Sequence, residues 1–249
     1  MININNAEVK LFNEIDSTNS EALEHLKIKN QINDPMWFRA NTQKKGRGRN
    51  KNNWVSDQGN LFVTLLTPIT WNINIIPMLS CVIAVSIHES VSLFLKNKDS
   101  LKIKWPNDIL FNNSKLSGVL IENQLSGDSK FSIIGIGMNI MSSPNNLNRQ
   151  TICLNDLALN TENLLENYFD ALKEKIHINL NSFNENSISY FREYALSKLW
   201  KLNKDVEFNH SERVQNGTLI GLSNNYEIEL EIDKQIKKFN SGEISIKKK

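Results

Sequence analysis

Cysteine is scarce in this sequence, net charge is almost absent, and its longest apolar stretch is too interrupted to read as a membrane span. The chain has 249 residues and only two cysteines, Cys81 and Cys153. They lie far apart, in apolar surroundings and without CxxC spacing, so they read as buried thiols of a reducing compartment and not as a disulfide framework or a zinc site. The formal net charge is +2. A chain so nearly neutral is not a polycation that coats nucleic acid, and any strong attraction for anions has to be local. The longest apolar stretch, Met78 to Leu95, contains Ser80, Ser86, His88, Glu89, Ser90 and Ser92, the pattern of a core helix. Met1 is followed by ININ, with neither a basic nor an apolar leader segment, which argues against a secretory signal and for the cytoplasm. With 40% hydrophobic and 22% charged residues, the composition is that of a globular protein able to bury a sizeable core.

The local positive charge is at Gln43 to Trp54, QKKGRGRNKNNW. Arg47 and Arg49 alternate with Gly46 and Gly48, and Lys44, Lys45 and Lys51 flank them. Glycine has no Cβ and tolerates positive φ, so this backbone can approach a ligand closely while the arginines supply fixed charge. Such a loop suits a polyanion. By itself it does not choose among nucleic acid, a nucleotide triphosphate and a membrane surface.

The flanking segments place the loop. Ala7 to Ile15 reads as a strand, and the cap cluster Asp16-Ser17-Thr18-Asn19 precedes a helix over about 19–29, with Thr18 and Glu21 in capping-box spacing. Met36–Thr42 and Asn60–Thr67 are apolar strands that deliver and receive the charged loop. Pro77–Lys96 has the spacing of the main buried helix, in which His88 and Glu89 read as structural. Leu101–Trp105 and Ile109–Phe111 are short strands on either side of Pro106-Asn107-Asp108, and Asn112-Asn113-Ser114 has hairpin-turn chemistry. The next strand, Lys115 to Glu122, leads to Phe131–Ile140, where Gly135 and Gly137 share a face with Asn139. Those glycines clear space for a ligand, a crossing backbone or simple packing. Helices follow near 154–159, 162–180 and 185–202. From Asp205 the pattern turns to short strands at 206–208, 214–222, 226–232, 236–239 and 243–246, with turn signals at Asn216-Gly217, Asn224-Asn225 and Ser241-Gly242.

Five motifs in this order resemble the biotin protein ligases: DSTN at Asp16–Asn19, Q-x-x-GRGR-x₄-W from Gln43 to Trp54, KWPND-x₆-K-x-x-G from Lys104 to Gly118, G-x-G-x-N from Gly135 to Asn139, and GEIS at Gly242–Ser245. The resemblance implies an α/β (α+β) fold. Residues 1–202 would form a mixed-sheet catalytic domain with packed helices, of the class II aminoacyl-tRNA-synthetase-like/biotin–lipoate ligase type, and residues 203–249 a small SH3-like β-barrel. It implies that biotin is activated by ATP to biotinoyl-5′-AMP with release of pyrophosphate. The biotinoyl group then passes to a lysine of the biotin carboxyl carrier protein of acetyl-CoA carboxylase or a related carboxylase.

By the same resemblance, Lys115, Arg47 and Arg49 carry the catalysis, supplying positive charge where a carboxylate meets a triphosphate. Biotin falls to Ser17, Thr18, Asn19, Gln43, Gly46, Arg47, Gly48, Arg49, Lys115 and Gly118. ATP falls to Arg47, Arg49, Trp54, Asn107, Asp108, Lys115 and Asn139, with Trp54 stacking on adenine and Asp108 helping to hold Mg²⁺. No DNA or membrane partner is implied. The family often pairs through sheet edges, which leaves a homodimer open.

The chain departs from the family in three places. NKNN follows GRGR where many members have more arginine and glycine, leaving Lys51 to supply phosphate contacts. Ser241 replaces a glycine before GEIS. Nothing before Ala7 corresponds to a DNA-binding domain, as expected of the short monofunctional form. A lipoate or octanoyl ligase would carry a different glycine-rich segment. A nucleic-acid regulator would need a wider basic surface, and a non-catalytic biotin sensor would lack the cations.

Overall fold

The computed structural model of the protein describes residues 3–29, 32–49, 52–126, 129–145, 150–211 and 213–246. In chain order the first half runs β1 (Glu8–Ile15), α1 (Thr18–Lys29), β2 (Met36–Gln43), β3 (Leu61–Pro68), α2 (Leu79–Ser92), β4 (Leu101–Lys104), β5 (Asp108–Phe111), β6 (Ser114–Ser126) and β7 (Ser129–Met138). These strands make one seven-stranded sheet in the order β1-β2-β3-β7-β6-β5-β4. β1 and β2 are parallel because α1 crosses between them; the other pairs are antiparallel. The sheet is therefore mixed, as expected.

Strand alternation divides the sheet into two faces. Leu61, Val63 and Leu65 of β3 and Ile134, Ile136 and Met138 of β7 enter the large core under α2. Leu66, Phe131 and Ile133 point the other way, into a smaller cluster with Ala22 of α1. Gly135 and Gly137 have the parity of that second face.

The buried helix is shorter than its periodicity predicts. Ile73–Met78 is a 3₁₀ turn containing Pro77, and the α-helix starts at Leu79, as suits a residue that cannot donate in a helix interior. The helical stretch Ile73–Ser92 is long and apolar enough to cross a bilayer, but 78% of its most apolar window is buried inside the fold. α3 (Leu164–Ser182) and α4 (Ile188–Ser197) pack against α2. The predicted Asn112-Asn113 turn joins β5 to β6, both residues left-handed at φ 45° and 66°.

β8 (Lys204–His210), β9 (Arg213–Leu222), β10 (Ile228–Ile232), β11 (Gln235–Phe239) and β12 (Ile244–Ile246) form a curled antiparallel sheet in the order β11-β10-β9-β8-β12. This fits the SH3-like expectation. Asn216-Gly217 is not a turn: both residues lie inside β9. A Cβ on Gly217 would come within 3.0 Å of the Glu231 carbonyl oxygen and of Ile232, so this glycine serves close packing against β10. The apolar core is continuous from the large sheet through α4 into this smaller one.

Candidate functional site

The site lies on the α1 face of the large sheet and is built first from the start of α1. Ser17, Thr18 and Asn19 are all buried. Thr18 is not the capping-box residue its spacing suggests. Its backbone N–H donates to Gln43 Oε1 at 2.8 Å, and its hydroxyl donates to the same oxygen at 3.2 Å and lies 2.8 Å from the Thr64 hydroxyl. Thr64 in turn donates to Asn19 Oδ1 at 2.6 Å. Asn19 Nδ2 reaches Glu122 Oε2 at 2.8 Å and the Leu120 carbonyl at 3.3 Å. Gln43 Nε2 donates to Ser56 Oγ at 3.0 Å, anchoring the far end of the charged loop.

The two glycines of β7 make room for side chains. A Cβ on Gly135 would meet Asn19 Oδ1 at 2.1 Å, and one on Gly137 would meet the Trp54 ring at 2.3 Å. Opposite Gly137 in the ladder stands Gly118 of β6, whose Cβ would meet Lys115 Nζ at 2.8 Å and the Trp54 ring at 3.0 Å. The indole of Trp54 thus lies on a floor of two glycines. Its Nε1–H is buried and, among the described residues, has no hydrogen-bond partner.

Lys115 and Gly118 are three apart, which in a regular strand puts them on opposite faces. A register shift between Ile109 and Leu110 of β5 gives β6 an extra residue, pairing Leu110 with Lys115 and Ile109 with Ser117. That bulge turns Lys115 and Gly118 into the same cavity. Lys115 Nζ lies 2.5 Å from Asp108 Oδ1 and 5.1 Å from the centre of the Trp54 ring. The backbone of Lys115 is held on both sides: its N–H donates to the Gln150 carbonyl, and its own carbonyl accepts from the Ile152 N–H and from Asn139 Nδ2.

Arg47 makes a bidentate pair with Glu122, at 3.1 and 2.7 Å. Arg49 donates to Asn107 Oδ1 at 3.2 Å and to the Ser241 carbonyl of the small sheet. Burial pulls the Arg49 guanidinium below its ordinary pKa, and the nearby Asp108 charge opposes this. Asn107 donates to the Val119 carbonyl at 2.5 Å and accepts the Val119 N–H on its own carbonyl, tying β6 to the turn before β5.

These groups surround a cavity of about 200 Å³ reaching from Ser17–Asn19, past Lys115 and Asp108, to Ile244–Ile246 of the small sheet. A wider recess of about 1010 Å³ lies on the other side of the loop. Arg47, Gly48, Arg49, Gln43 and Trp54 border both. Gly46 borders only the outer recess. Asn139 borders neither; buried, its amide donates to the Lys115 and Ile152 carbonyls, so its place is behind Lys115. Lys51 lies outside the described residues. Sequence reasoning missed Thr64 and Glu122. Both had a signal: each is a polar side chain interrupting or ending an apolar strand run.

Fixed cations, a polar cap and a floor of two glycines under one indole suit an amphiphilic ligand carrying an anionic end. Among the described residues no three His, Cys, Asp or Glu side chains cluster as a metal cage. His88, as expected, is structural: Nδ1 faces the Tyr194 hydroxyl at 3.0 Å and Nε2 the Leu101 carbonyl at 3.3 Å.

The family profile described as "Biotin/lipoate A/B protein ligase family" matches residues 11–139, just over half of the chain. The biotin--[acetyl-CoA-carboxylase] ligase of Paracoccus denitrificans is 35% identical over 130 residues, 52% of this chain and 53% of that protein. The human biotin--protein ligase is 32% identical over 155 residues, 60% of this chain and 21% of that one. The chain therefore spans about half the length of the first relative and a fifth of the second. The solved biotin protein ligase of Aquifex aeolicus in complex with biotin and ATP superposes with a TM-score of 0.76 at 27% identity, covering 97% of this chain and 99% of that one. With the matched segment holding α1, the GRGR loop, Lys115 and the two glycines of β7, the chain belongs to the biotin/lipoate A/B protein ligase family.

Proposed function

We propose that the protein is an ATP-dependent biotin–protein ligase that modifies the biotin carboxyl carrier domain of a carboxylase, acetyl-CoA carboxylase being the first candidate from the name of the Paracoccus relative. One observation carries the reading: Lys115, Arg47 and Arg49 converge on one cavity with the Ser17–Asn19 cap, in a fold similar to a ligase solved with biotin and ATP. Residues 1–202 serve as the catalytic unit and 203–249 as the small barrel, a division supported by the change of sheet at β8.

In the first step a biotin carboxylate oxygen attacks the α-phosphorus of ATP, the bond to pyrophosphate breaks, and biotinoyl-5′-AMP forms. In the second a carrier lysine amine attacks the acyl carbon and AMP leaves. No protein nucleophile is required. The ureido end of biotin suits the donors and acceptors of Ser17, Thr18, Asn19 and Gln43. Lys115 follows the carboxylate as it becomes an acyl phosphate, while Arg47 and Arg49 offset the charge that builds on the phosphate oxygens. Trp54 offers its indole to adenine, and Asn107 stands beside the nucleotide. Asp108 would share Mg²⁺ with the phosphates, the ion arriving on the nucleotide.

The test is intact mass of a carrier domain incubated with protein, biotin and MgATP. Gain of one biotinoyl group, falling roughly 10²–10³-fold in rate with Lys115→Ala, supports the reading. Pyrophosphate exchange driven by lipoate and not by biotin would overturn the substrate; no exchange with either would overturn the activity.

A further inference from the structure

Besides lining the cavity, the small C-terminal sheet reaches the turn behind the site through a side chain that no motif contains. Tyr226 ends the turn between β9 and β10 and is fully inside the fold, 4% exposed. Its hydroxyl donates to the Pro106 carbonyl at 3.2 Å, and its own carbonyl accepts from Trp105 Nε1 at 2.7 Å. The two bonds are reciprocal, cross 120 and 121 residues of chain, and both land on the residues immediately before Asn107 and Asp108. Burial pushes the Tyr226 phenol well above its ordinary pKa, so its proton stays available for donation.

The turn itself is built to hold this geometry. Tyr226 sits at φ 62°, a left-handed position that glycine or asparagine fills at lower cost. Two asparagines, Asn224 and Asn225, stand immediately before it, yet the tyrosine takes the strained place. Ser223 fixes the turn from inside, its hydroxyl accepting from the Asn225 and Glu227 N–H groups and donating to Glu227 Oε2 at 2.7 Å. The Ser223 N–H donates to the Glu227 carbonyl and its carbonyl accepts the Tyr226 N–H. Strain of this kind persists where the surroundings over-determine it. What it achieves here is a rigid clamp on the turn carrying Asn107, which meets Arg49, and Asp108, which meets Lys115.

We propose that Tyr226 is a positioning residue for nucleotide activation: it makes the placement of Asn107 and Asp108 depend on the C-terminal sheet. This rests on the ligase reading above. A merely structural tyrosine would influence folding and leave the two substrates equally affected. A positioning residue on the nucleotide side changes ATP usage more than biotin usage, which feels the turn only through Lys115 and Arg49.

The experiment is Tyr226→Phe, which keeps the ring and removes the donor. Thermal unfolding is read together with biotin-dependent pyrophosphate exchange and with amide hydrogen exchange of the ligand-free protein. Expected are faster exchange over 105–111 and a KM for ATP raised about threefold to tenfold, the range of one lost hydrogen bond, with the KM for biotin within twofold of wild type. Equal changes in both KM values, or unchanged exchange over 105–111 in the folded variant, overturn the proposal. If the wild type drives no exchange of pyrophosphate, the ligase reading fails separately, and the ligand-free exchange over 105–111 still decides whether Tyr226 positions the turn. If the variant does not fold, wild-type exchange with MgATP decides: protection must extend to 223–227 as well as 105–111, and protection confined to 105–111 overturns the coupling.

Discussion

Gly137→Ala tests whether the glycine floor exists to seat Trp54. The added Cβ would lie 2.3 Å from the indole, and ordinary contact begins at 3.4 Å, so the ring must withdraw by 3.4 − 2.3 = 1.1 Å or more. The backbone of Trp54 is tied by its N–H to the Gly46 carbonyl and by its carbonyl to Ser56, but among the described residues its ring makes no hydrogen bond, so the ring can yield. The stability cost should then stay at the low end of overpacking, about 1 kcal/mol, or roughly 2–4 °C in Tm for a chain of this size. Function should suffer more, because Lys115 stands over that ring and a displacement of about 1 Å in a positioned group can cost about 10²-fold. Gly135→Ala is the control with the opposite balance. Its Cβ meets Asn19 Oδ1 at 2.1 Å, and Asn19 is held by Thr64, Glu122 and the Leu120 carbonyl, so it cannot withdraw without losing bonds worth about 1 kcal/mol each. Differential scanning calorimetry and biotin-dependent pyrophosphate exchange on both variants decide the matter. A Gly137→Ala protein with wild-type kinetics and unshifted tryptophan fluorescence would refute the reasoning, since the ring would then not have been where the activity needs it.

Two further expectations concern the scaffold. His88 is held neutral, its pKa lowered to about 4 mainly by burial while the hydrogen bond to the Leu101 carbonyl opposes the shift. The folded pKa lies below the unfolded value near 6.5, so stability is untouched above pH 6.5 and lost as pH falls from there toward 4, by on the order of 3 kcal/mol. Chemical denaturation of wild type and His88→Gln across that window should show a steeper slope in the wild type, the lowered pKa of His25 leaving a shallower one in both, and equal slopes would exclude His88 as a source. Asn60→Ala should cost about 3 kcal/mol, or roughly 6–12 °C. The Asn60 Oδ1 accepts from three backbone N–H groups, those of Ile140, Met141 and Ser142, at 2.8, 3.0 and 3.2 Å. A Tm within 2 °C of wild type would mean those amides find other partners.

The strands were legible because their cause is local: β3 is an unbroken apolar run, and β6 and β7 show their turn and glycine signals in sequence. The order of motifs also brought α1, the charged loop, Lys115 and the β7 glycines to one place. What was not legible depends on contacts between distant segments. Thr18 has the spacing of a capping residue, yet Gln43 and Thr64 claim its hydroxyl. Asn216-Gly217 has turn chemistry but is paired within β9 because Glu231 and Ile232 crowd Gly217. Asn139 shares strand parity with the site glycines, and its amide nonetheless serves the Lys115 backbone, since β7 ends at Met138. Glu122 was marked locally only as the polar end of an apolar strand; its pairing with Arg47, like that of Tyr226 with Trp105 and Pro106, crosses an interval that no local pattern records.

The near-neutral net charge acquires a physical sense from the pairing inside the site. Arg47, Arg49 and Lys115 contribute +3, and Glu122 and Asp108, in contact with Arg47 and Lys115, contribute −2, leaving +1 among these five side chains. A half-buried cation without a partner is costly, so the site as a folded object requires those carboxylates before any ligand is present. The Arg47–Glu122 pair is also in reach of exchange: Arg47 is 40% exposed and Glu122 29%. An anionic substrate can therefore take up the guanidinium by replacing one carboxylate with another, with less desolvation than binding a hydrated free arginine would demand. The attraction for a carboxylate or a phosphate thus resides in the geometry of five side chains, and a count of charges over the whole chain could not reveal it.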